Sequence, residues 1–412
     1  MRIISSSNRR AIDWLASRDA ARSPVVERRV RRIMADVRRR GDAALREWSH
    51  RLDGLTGPLE VSVRELRRGW DATPPPLRAS LRLAIRHVER VATRQVPESF
   101  AVRVRPGVTV AQRVEPLAHV GCYVPGGRQS LPSTLVMTVV PARVAGVTEI
   151  TVVCPSVTPV ICCAAIEAGA TRVLNVGGAQ AIAALAYGTA SVRRADKIVG
   201  PGSAWVAAAK AIASRECAID FHAGPSEIVV WSDRGRPEWI AADLIAQAEH
   251  DPDARAILVT TRPAVARAVA AAVARQMPAS GPARRAIASN GGIVVAPTRQ
   301  EAADLVNRLA PEHVVCDNRS DAARVTRAGT IFVGRWSAQA AGDYMTGSNH
   351  VLPTGGAARC RGGLTAADFV RICAVQTLTK AGIAAIGPPA IRLAQAEGLA
   401  AHANSIRLRT ET

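Results

Sequence analysis

The helical stretch that ends in "LIAQAEHD" places several chemically active side chains close together. Gln247 and His250 are three residues apart, so in a helix they lie on one face and can converge on a single point. The pair can supply part of a metal site, but a histidine near a helix C-terminus also interacts favourably with the helix dipole. On local features alone the dipole interpretation is favoured, because metal binding needs further ligands. Glu249 and Asp251 point elsewhere and are expected to serve the turn.

A second candidate site is the dipeptide Glu312-His313 in "APEHVVC", which follows another helical stretch. The pair supplies two general acid/base groups from neighbouring positions, and the near-neutral pKa of histidine suits proton abstraction from an alcohol or a water. A single Glu-His dipeptide is common by chance, so this pair needs support from the rest of the chain.

Two downstream segments add carboxylates and imidazoles. The glycine-flanked loop "GDYMTGSNHVLPT" holds Asp343 and His350, where no helical packing explains them, and "AEGLAAHANS" holds Glu397 and His402 near the end of the last helix. One set of oxygen and nitrogen donors suited to zinc can be assembled from these clusters: Gln247, His250, Asp343 and His402. Spacing alone leaves open whether the four meet.

Composition predicts a large core and two or more domains, since 48% of the 412 residues are hydrophobic. No stretch approaches the roughly 20 apolar residues of a membrane span, and the N-terminus lacks the apolar block of a signal peptide, so we expect a cytoplasmic protein with no membrane partner. The eight cysteines are scattered, several inside apolar segments, which indicates buried reduced thiols.

The net charge of +20 raises nucleic-acid binding as an alternative function. Arginines supply nearly all of the positive charge and are spread along the chain, while aromatic residues, at 3%, are too few for a base-stacking platform. The densest basic run, residues 25–48, keeps apolar positions at helical spacing, so its arginines are interpreted as the solvated face of an amphipathic helix. We therefore expect no nucleic-acid partner.

The elements that must position these groups alternate between strand and helix. Helices are predicted over about 25–50 and 75–95, and from about residue 108 short β-branched runs alternate with alanine-rich helical stretches, as in parallel α/β architecture. The chain is predicted to end in two short helices and the strand-like "NSIRLR".

Two of the strand-to-helix units share a local pattern. "VLNVGGAQAIAAL" and "IVGPGSAWVAAAK" each run from a strand through a glycine pair into a helix. Such a turn offers backbone amides to a phosphate or a ribose, but tight turns alone are the favoured explanation of these glycines.

Six segments occur in the order, and at roughly the separations, found in histidinol dehydrogenases: "YVPGGRQSLPSTLVM", "AGPSE", "ADLIAQAEHD", "APEHV", "GDYMTGSNHVLPT" and "AEGLAAH". The chain resembles this family from about residue 20 to its C-terminus. The resemblance implies oxidation of L-histidinol to L-histidine through L-histidinal, the last step of histidine biosynthesis, with one zinc ion per subunit and with NAD.

The resemblance also implies a role for particular residues. The catalytic acid/base pair would be Glu312 and His313. The zinc ligands would be Gln247, His250, Asp343 and His402. The substrate would contact those ligands and the catalytic histidine, together with Ser226, His350 and Glu397. NAD would contact Tyr123, Gln180 and Ser203.

Departures from the family pattern keep the substrate open. Ser203 stands where the family usually has asparagine, and serine reaches less far toward NAD. Phe221 and His222 stand where smaller or aliphatic residues are common. His222 is either a surface histidine, which we favour, or a residue that alters the pocket next to Ser226. The alternative enzyme is a paralogue that oxidises another small amino alcohol or a sulfonated diol with the same zinc and NAD machinery.

The fold implied by the resemblance is α/β, with two incomplete Rossmann-like parallel-sheet domains and small extra N- and C-terminal segments. The implied assembly is an intertwined homodimer with shared active sites, in which Glu397 and His402 of one subunit complete the site of the other. The expected divisions are an N-terminal segment over 1–22, a discontinuous first α/β domain over 23–122 with 228–310, a second Rossmann-like domain over 123–227, an active-site loop region over 311–365 and a dimer-crossing segment over 366–412.

Overall fold

Helices dominate the first hundred residues of the computed structural model, which describes residues 1–17, 24–126, 130–221 and 224–411. The elements in this part are β1 (Ile3–Ser5), α1 (Arg9–Ala16), α2 (Pro24–Arg40), α3 (Asp42–Asp53), α4 (Val63–Ala72) and α5 (Pro75–Thr93). The helical stretch predicted over 25–50 is two helices, because Gly41 between them has a φ of 56°, which glycine adopts readily and other residues rarely. The helix predicted over 75–95 is confirmed as α5.

A five-stranded parallel sheet follows an antiparallel hairpin. The hairpin consists of β2 (Phe100–Arg105) and β3 (Val108–Pro116). The sheet and its helices are β4 (His119–Tyr123), α6 (Pro132–Val144), β5 (Glu149–Val153), α7 (Pro159–Ala168), β6 (Arg172–Leu174), α8 (Gly178–Tyr187), β7 (Lys197–Val199), α9 (Ala204–Ala213) and β8 (Ala218–Ile219). The strand order β6-β5-β4-β7-β8 is the Rossmann order 3-2-1-4-5, with the order reversing at β4 and β7.

A six-stranded parallel sheet repeats this order. Its elements are β9 (Glu227–Trp231), α10 (Pro237–Ala248), β10 (Arg255–Thr260), α11 (Pro263–Gln276), α12 (Ala283–Asn290), β11 (Gly292–Val295), α13 (Arg299–Leu309), β12 (His313–Cys316), α14 (Arg319–Ala322), β13 (Thr330–Val333) and α15 (Gln339–Gly342). The strand order is β1-β11-β10-β9-β12-β13, so the order 3-2-1-4-5 has β1 added at one edge. The prediction of two incomplete Rossmann-like units is therefore confirmed.

The C-terminal region differs from its prediction. After 3-10 turns at Ala357–Arg359 and Ala366–Phe369 come β14 (Val370–Leu378), α16 (Lys380–Ala396) and α17 (Ala400–Thr410). "NSIRLR" is not a strand, because it continues α17, whose close packing on α16 leaves no space for a Cβ at Gly387 beside Thr410. The strand in this region is β14, which pairs with β3 in antiparallel register over nine residues and completes a three-stranded sheet.

The core divides between the two parallel sheets. Strands β4 and β9 are buried along their whole length because helices cover both faces of each sheet. Helices α2 to α5 pack against α6 to α9 and so join residues 24–93 to the five-stranded sheet. The domain boundaries themselves stay a prediction. Among the described residues, no helix combines the length and apolar character needed to cross a membrane.

Candidate active site

His313 is the first residue of β12 and Glu312 immediately precedes it, where this strand pairs with the start of β9. Ala310, two residues before Glu312, caps α13 in the left-handed region with a φ of 46°, so the helix ends immediately before this segment. Both side chains are buried, with His313 3% exposed. The acid/base pair predicted from the sequence is thus enclosed in the protein and fixed by a strand.

Glu312 is held by two donors from the neighbouring strand. Its Oε2 accepts a hydrogen bond from Ser226 Oγ at 2.5 Å and one from the Glu227 backbone N–H at 2.9 Å. Burial nevertheless dominates and raises the pKa of Glu312 to about 7. A carboxyl group with this pKa can both take up and release a proton near neutral pH, which suits a general acid/base.

His313 is perturbed in the opposite direction. Burial lowers its pKa to about 4, so the imidazole is neutral at physiological pH. Its Nδ1 lies 3.1 Å from the Glu227 carbonyl oxygen, which assigns the ring proton to Nδ1 and leaves the Nε2 lone pair available as a base. Nε2 lies 4.0 Å from Asp343 Oδ1, so it faces the loop that supplies a predicted zinc ligand.

Gln247 is fully buried near the end of α10, and its two amide atoms are in different situations. Nε2 donates to Ser226 Oγ, which in turn donates to Glu312. Oε1 is buried without a hydrogen-bond partner among the described residues. An orphaned amide oxygen in a protein interior is costly, and coordination of a metal ion is one way to satisfy it.

His250 follows α10 and contacts the end of that helix. Its Nδ1 lies 3.0 Å from the Ala246 carbonyl oxygen and 3.3 Å from that of Gln247, so the ring does contact the last turn of the helix. This contact places the proton on Nδ1 and leaves Nε2 free. A backbone contact to one ring nitrogen is the usual way in which the other is oriented toward a metal.

Asp343 and His350 come together in the loop that follows α15. Asp343 Oδ2 accepts a hydrogen bond from Gln339 Nε2 at 3.0 Å, and the Asp343 backbone carbonyl oxygen lies 2.9 Å from His350 Nδ1. His350 Nε2 lies 3.3 Å from the hydroxyl of Thr134 on α6, and burial lowers the pKa of this histidine. The site therefore touches a helix of the five-stranded sheet as well as the six-stranded sheet.

The structure brings most of the predicted site residues together within one chain. His250 and Asp343 are both electrostatic neighbours of Glu312, His313 and His350, which places the five groups in one cluster. Within the described ranges, no group of three or more His, Cys, Asp and Glu side chains is arranged to hold a metal ion by itself.

Glu397 and His402 are exposed at the end of α16 and on α17. They are not enclosed in the buried cluster of this chain. Their predicted contribution to the site of a second subunit stays a prediction.

The predicted NAD contacts line a separate cavity of about 750 Å³. Tyr123, Gln180 and Ser203 all contribute to it, at the carboxyl ends of β4, β6 and β7. This is the edge of the five-stranded sheet where the strand order reverses, and nucleotides bind at such a point in Rossmann-type folds. Tyr123 Oη accepts a hydrogen bond from the Gly178 N–H at 3.1 Å, so the tyrosine is fixed against the start of α8.

Of the two residues near Ser226 that depart from the family pattern, Phe221 and His222, the structure describes only Phe221. Phe221 is 8% exposed and lies between two cations, with Arg361 Cζ 4.8 Å and Lys210 Nζ 6.0 Å from its ring centroid. It is therefore a packed core residue. His222 lies outside the described residues.

Sequence reasoning missed several residues of both sites. Gln339 orients Asp343, and its i, i+4 spacing within "QAAGD" was a signal that could have found it. Thr134 on α6 contacts His350 across 216 positions of sequence, and no local pattern predicts that contact. The cavity lining missed by sequence comes mainly from the N-terminal helices: Arg29, Arg32, Trp48, Arg51 and Asp53.

Comparison with known proteins agrees with this arrangement. The histidinol dehydrogenase family model matches residues 16–410. The chain is 44% identical over 405 residues to histidinol dehydrogenase from Cereibacter sphaeroides, covering 94% of this chain and 93% of the relative. It is 43% identical over 390 residues to the enzyme from Methanothermobacter thermautotrophicus, covering 92% of each. The crystal structure of histidinol dehydrogenase from Elizabethkingia anophelis superposes with a TM-score of 0.94 at 31% identity, covering 100% of this chain and 98% of the other.

Proposed function

The chain belongs to the histidinol dehydrogenase family, and we propose that it oxidises L-histidinol to L-histidine with one zinc ion and NAD, at an active site shared between two subunits. The observation that carries the proposal is the buried Glu312-His313 pair. Burial moves the two pKa values in opposite directions, so that the histidine is a neutral base while the glutamic acid exchanges protons near neutrality.

The pair can serve both halves of a four-electron oxidation. In the first half, His313 Nε2 accepts the hydroxyl proton of the alcohol as a hydride leaves the adjacent carbon. In the second half, Glu312 removes a proton from the water that adds to the aldehyde, and His313 accepts the hydroxyl proton of the resulting hydrate. NAD, when bound, supplies the hydride acceptor for each half. The protons leave through the two side chains, so each can act again.

Three of the predicted zinc ligands have donor atoms in this chain that are available to bind zinc. Gln247 Oε1 is a buried orphaned acceptor, His250 has one ring nitrogen free, and Asp343 has one carboxylate oxygen outside its contact with Gln339. Oxygen and imidazole donors of this kind suit zinc, and a fourth would come from His402 of a second subunit. Bound zinc would fix the amino and imidazole nitrogens of the substrate and thereby orient its hydroxyl toward His313.

The cavity at the reversal point of the five-stranded sheet supports NAD as the cofactor. It is lined by all three predicted contact residues and by exposed arginines that suit a diphosphate. Ser203 is the N-cap residue of α9 and its side chain forms no capping hydrogen bond, so the hydroxyl is available to a ligand despite its short reach.

A homodimer accounts for the surface of the C-terminal region. Large exposed apolar side chains concentrate on the three-stranded sheet and on α16 and α17: Phe100, Val102, Val104, Ile372, Val375, Leu378, Leu393, Leu399 and Leu408. An apolar surface of this kind marks a protein interface, and a second subunit is the partner that the shared site requires. A cytoplasmic location is proposed with the biosynthetic role.

Complementation between two inactive variants tests the shared site. His313→Ala removes the base from its own chain, and His402→Ala removes a ligand from the other subunit's site. A heterodimer of the two restores one complete site and leaves one doubly defective site. Random mixing makes half of the dimers heterodimers, so co-expression should recover about a quarter of wild-type activity. A site contained in one chain predicts no recovery in the mixture.

The chemical proposal is tested on the wild-type enzyme. Removal of metal by a chelator should abolish NADH formation with L-histidinol, and zinc should restore it. A panel of small amino alcohols and sulfonated diols distinguishes the paralogue. Turnover of another alcohol, with none of L-histidinol, would contradict the proposal.

A further inference from the structure

The two strand-to-helix turns with glycine pairs are not equivalent in the structure. At the start of α8, the Gly177 N–H donates to Asp53 Oδ2 at 3.1 Å and the Gly178 N–H donates to the Tyr123 hydroxyl at 3.1 Å. The amides that would otherwise bind a phosphate are therefore taken, one of them by a carboxylate. At the start of α9, by contrast, the side chain of the N-cap residue Ser203 makes no capping bond. A phosphate is repelled at the first turn and is compatible with the second.

Asp53 is held in place more firmly than a surface carboxylate. It is the last residue of α3, which ends at Gly54 with a φ of 69°, and its Oδ2 accepts a second hydrogen bond from Gln180 Nε2 at 2.9 Å. Asp53 lines the cavity, and its Oδ1 accepts no hydrogen bond from any residue in the described ranges. Partial burial raises the pKa of Asp53, although the hydrogen bonds from Gly177 and Gln180 oppose this shift.

Asp53 and the catalytic cluster lie on opposite faces of the five-stranded sheet, so they would contact opposite ends of a bound dinucleotide. Helices α6 and α7 pack together on one face of the five-stranded sheet, and α8 and α9 pack together on the other. The catalytic cluster meets the first face through Thr134 and His350, whereas Asp53 meets the second face through α8. A dinucleotide that crosses the sheet edge with its nicotinamide toward His313 therefore has its adenosine toward Asp53.

We propose that Asp53 is a specificity-determining residue: its free oxygen accepts hydrogen bonds from the adenosine ribose hydroxyls and thereby selects NAD against NADP. The proposal rests on the proposed use of a nicotinamide dinucleotide. A 2′-phosphate at this position would place two like charges within a few ångströms in a partly buried site. Arg29, Arg32 and Arg51 line the same cavity from its exposed side and supply positive charge for the diphosphate.

The test compares the affinities of the zinc-loaded dimer for NAD and NADP, measured by isothermal titration calorimetry. The wild type should prefer NAD by about 100-fold or more, the ratio expected for a like-charge contact at a partly buried site. Asp53→Asn keeps an oxygen for Gly177 and Gln180 but turns the cavity-facing acceptor into a donor. This variant should bind NAD about tenfold more weakly, and the preference for NAD should narrow by at least about tenfold.

Asp42→Asn is the matched control. Asp42 lies on the same helix and accepts hydrogen bonds from the Ser191 backbone N–H at 3.4 Å and from its hydroxyl at 2.8 Å, but does not line the cavity. Its variant should keep the wild-type ratio. If Asp53→Asn does not fold, Asp53→Ser is measured instead, with the same expected direction.

Three outcomes would overturn the proposal. Equal wild-type affinities for NAD and NADP would show that Asp53 does not disfavour the 2′-phosphate. An unchanged affinity ratio in the Asp53 variant, with both dinucleotides weakened together, would show a merely structural role. If the wild type binds NAD and either of these two results is found, only the role of Asp53 is contradicted. If the wild type binds neither NAD nor NADP, the proposed use of NAD is contradicted as well.

Discussion

Replacing Gln247 with leucine separates the role of its side chain in metal binding from its role in folding. Leucine has about the volume of glutamine but no polar atoms. The substitution removes Oε1, which is a buried acceptor without a partner, and Nε2, which donates to Ser226 Oγ. Loss of Oε1 removes an unsatisfied polar atom from the zinc-free protein, whereas loss of Nε2 removes a hydrogen bond.

The two effects on the zinc-free protein oppose each other. An unsatisfied buried acceptor costs ~1–3 kcal/mol, and a neutral hydrogen bond contributes ~0.5–1.5 kcal/mol. The free energy of unfolding of the zinc-free variant should therefore lie within about 2 kcal/mol of the wild-type value. Zinc at 1,000 times its Kd stabilises the wild type by about 4 kcal/mol, and the variant should lose this gain.

The assay uses chelator-treated protein with and without added zinc. Zinc content is measured by mass spectrometry after dialysis, and stability is measured by urea unfolding. Gln276→Leu is the control, since the Gln276 amide donates to a backbone carbonyl at the protein surface. The reasoning is refuted if Gln247→Leu retains zinc as the wild type does, or if its zinc-free form is less stable by more than about 3 kcal/mol.

The remaining predictions concern the acid/base pair and two supporting residues. In zinc-free protein, burial raises the pKa of Glu312 to about 7 and lowers that of His313 to about 4. The contribution of Glu312 to stability is present below about pH 4.5 and lost as pH rises through 7, whereas that of His313 is present above about pH 6.5 and lost as pH falls through 4. Urea unfolding between pH 4 and 7 should therefore show that, relative to the wild type, stability rises more with pH in Glu312→Gln and falls more with pH in His313→Asn; a change of slope of the same sign in both variants would contradict the assignment. Gln339→Met should weaken zinc binding about 10–100-fold because it frees the ligand carboxylate, while Gln300→Met, which removes an exposed i, i+4 amide-to-carboxylate contact, should leave the zinc Kd unchanged. Lys210→Met should lower the free energy of unfolding by about 3–5 kcal/mol because it leaves a buried carboxylate without its cation, and a loss below about 1 kcal/mol would show that the ion pair is not needed.

The alternation of strands and helices was sufficient to predict the two parallel sheets. Buried parallel strands are nearly continuous apolar runs, as in residues 228–231 of β9, and the intervening alanine-rich stretches have the length of crossover helices. The pattern failed at the C-terminus. Helix α17 follows from good helix formers such as Leu408 and Arg409 and from packing on α16, while β14 depends on its pairing with β3, more than 250 residues earlier in the chain.

The catalytic cluster was predictable only in part for the same reason. The Glu312-His313 dipeptide and the spacing of Gln247 and His250 are local, and the family resemblance joined them. The contact of Asp53 with Gly177 spans 124 positions and follows no sequence period, so only the fold could reveal it. The basic run of α2 was interpreted as a solvated face; Arg29 and Arg32 are indeed exposed, but they also line the cavity.

The central claim is that one site carries out both oxidations of L-histidinol. The most direct measurement supplies the zinc-loaded enzyme with a limiting amount of L-histidinol and excess NAD, and determines NADH and L-histidine at completion. Because the conversion of an alcohol to an acid releases four electrons and each NAD accepts two, we expect two NADH and one L-histidine for each L-histidinol. One NADH with accumulation of the aldehyde, or no NADH at all, would contradict the account.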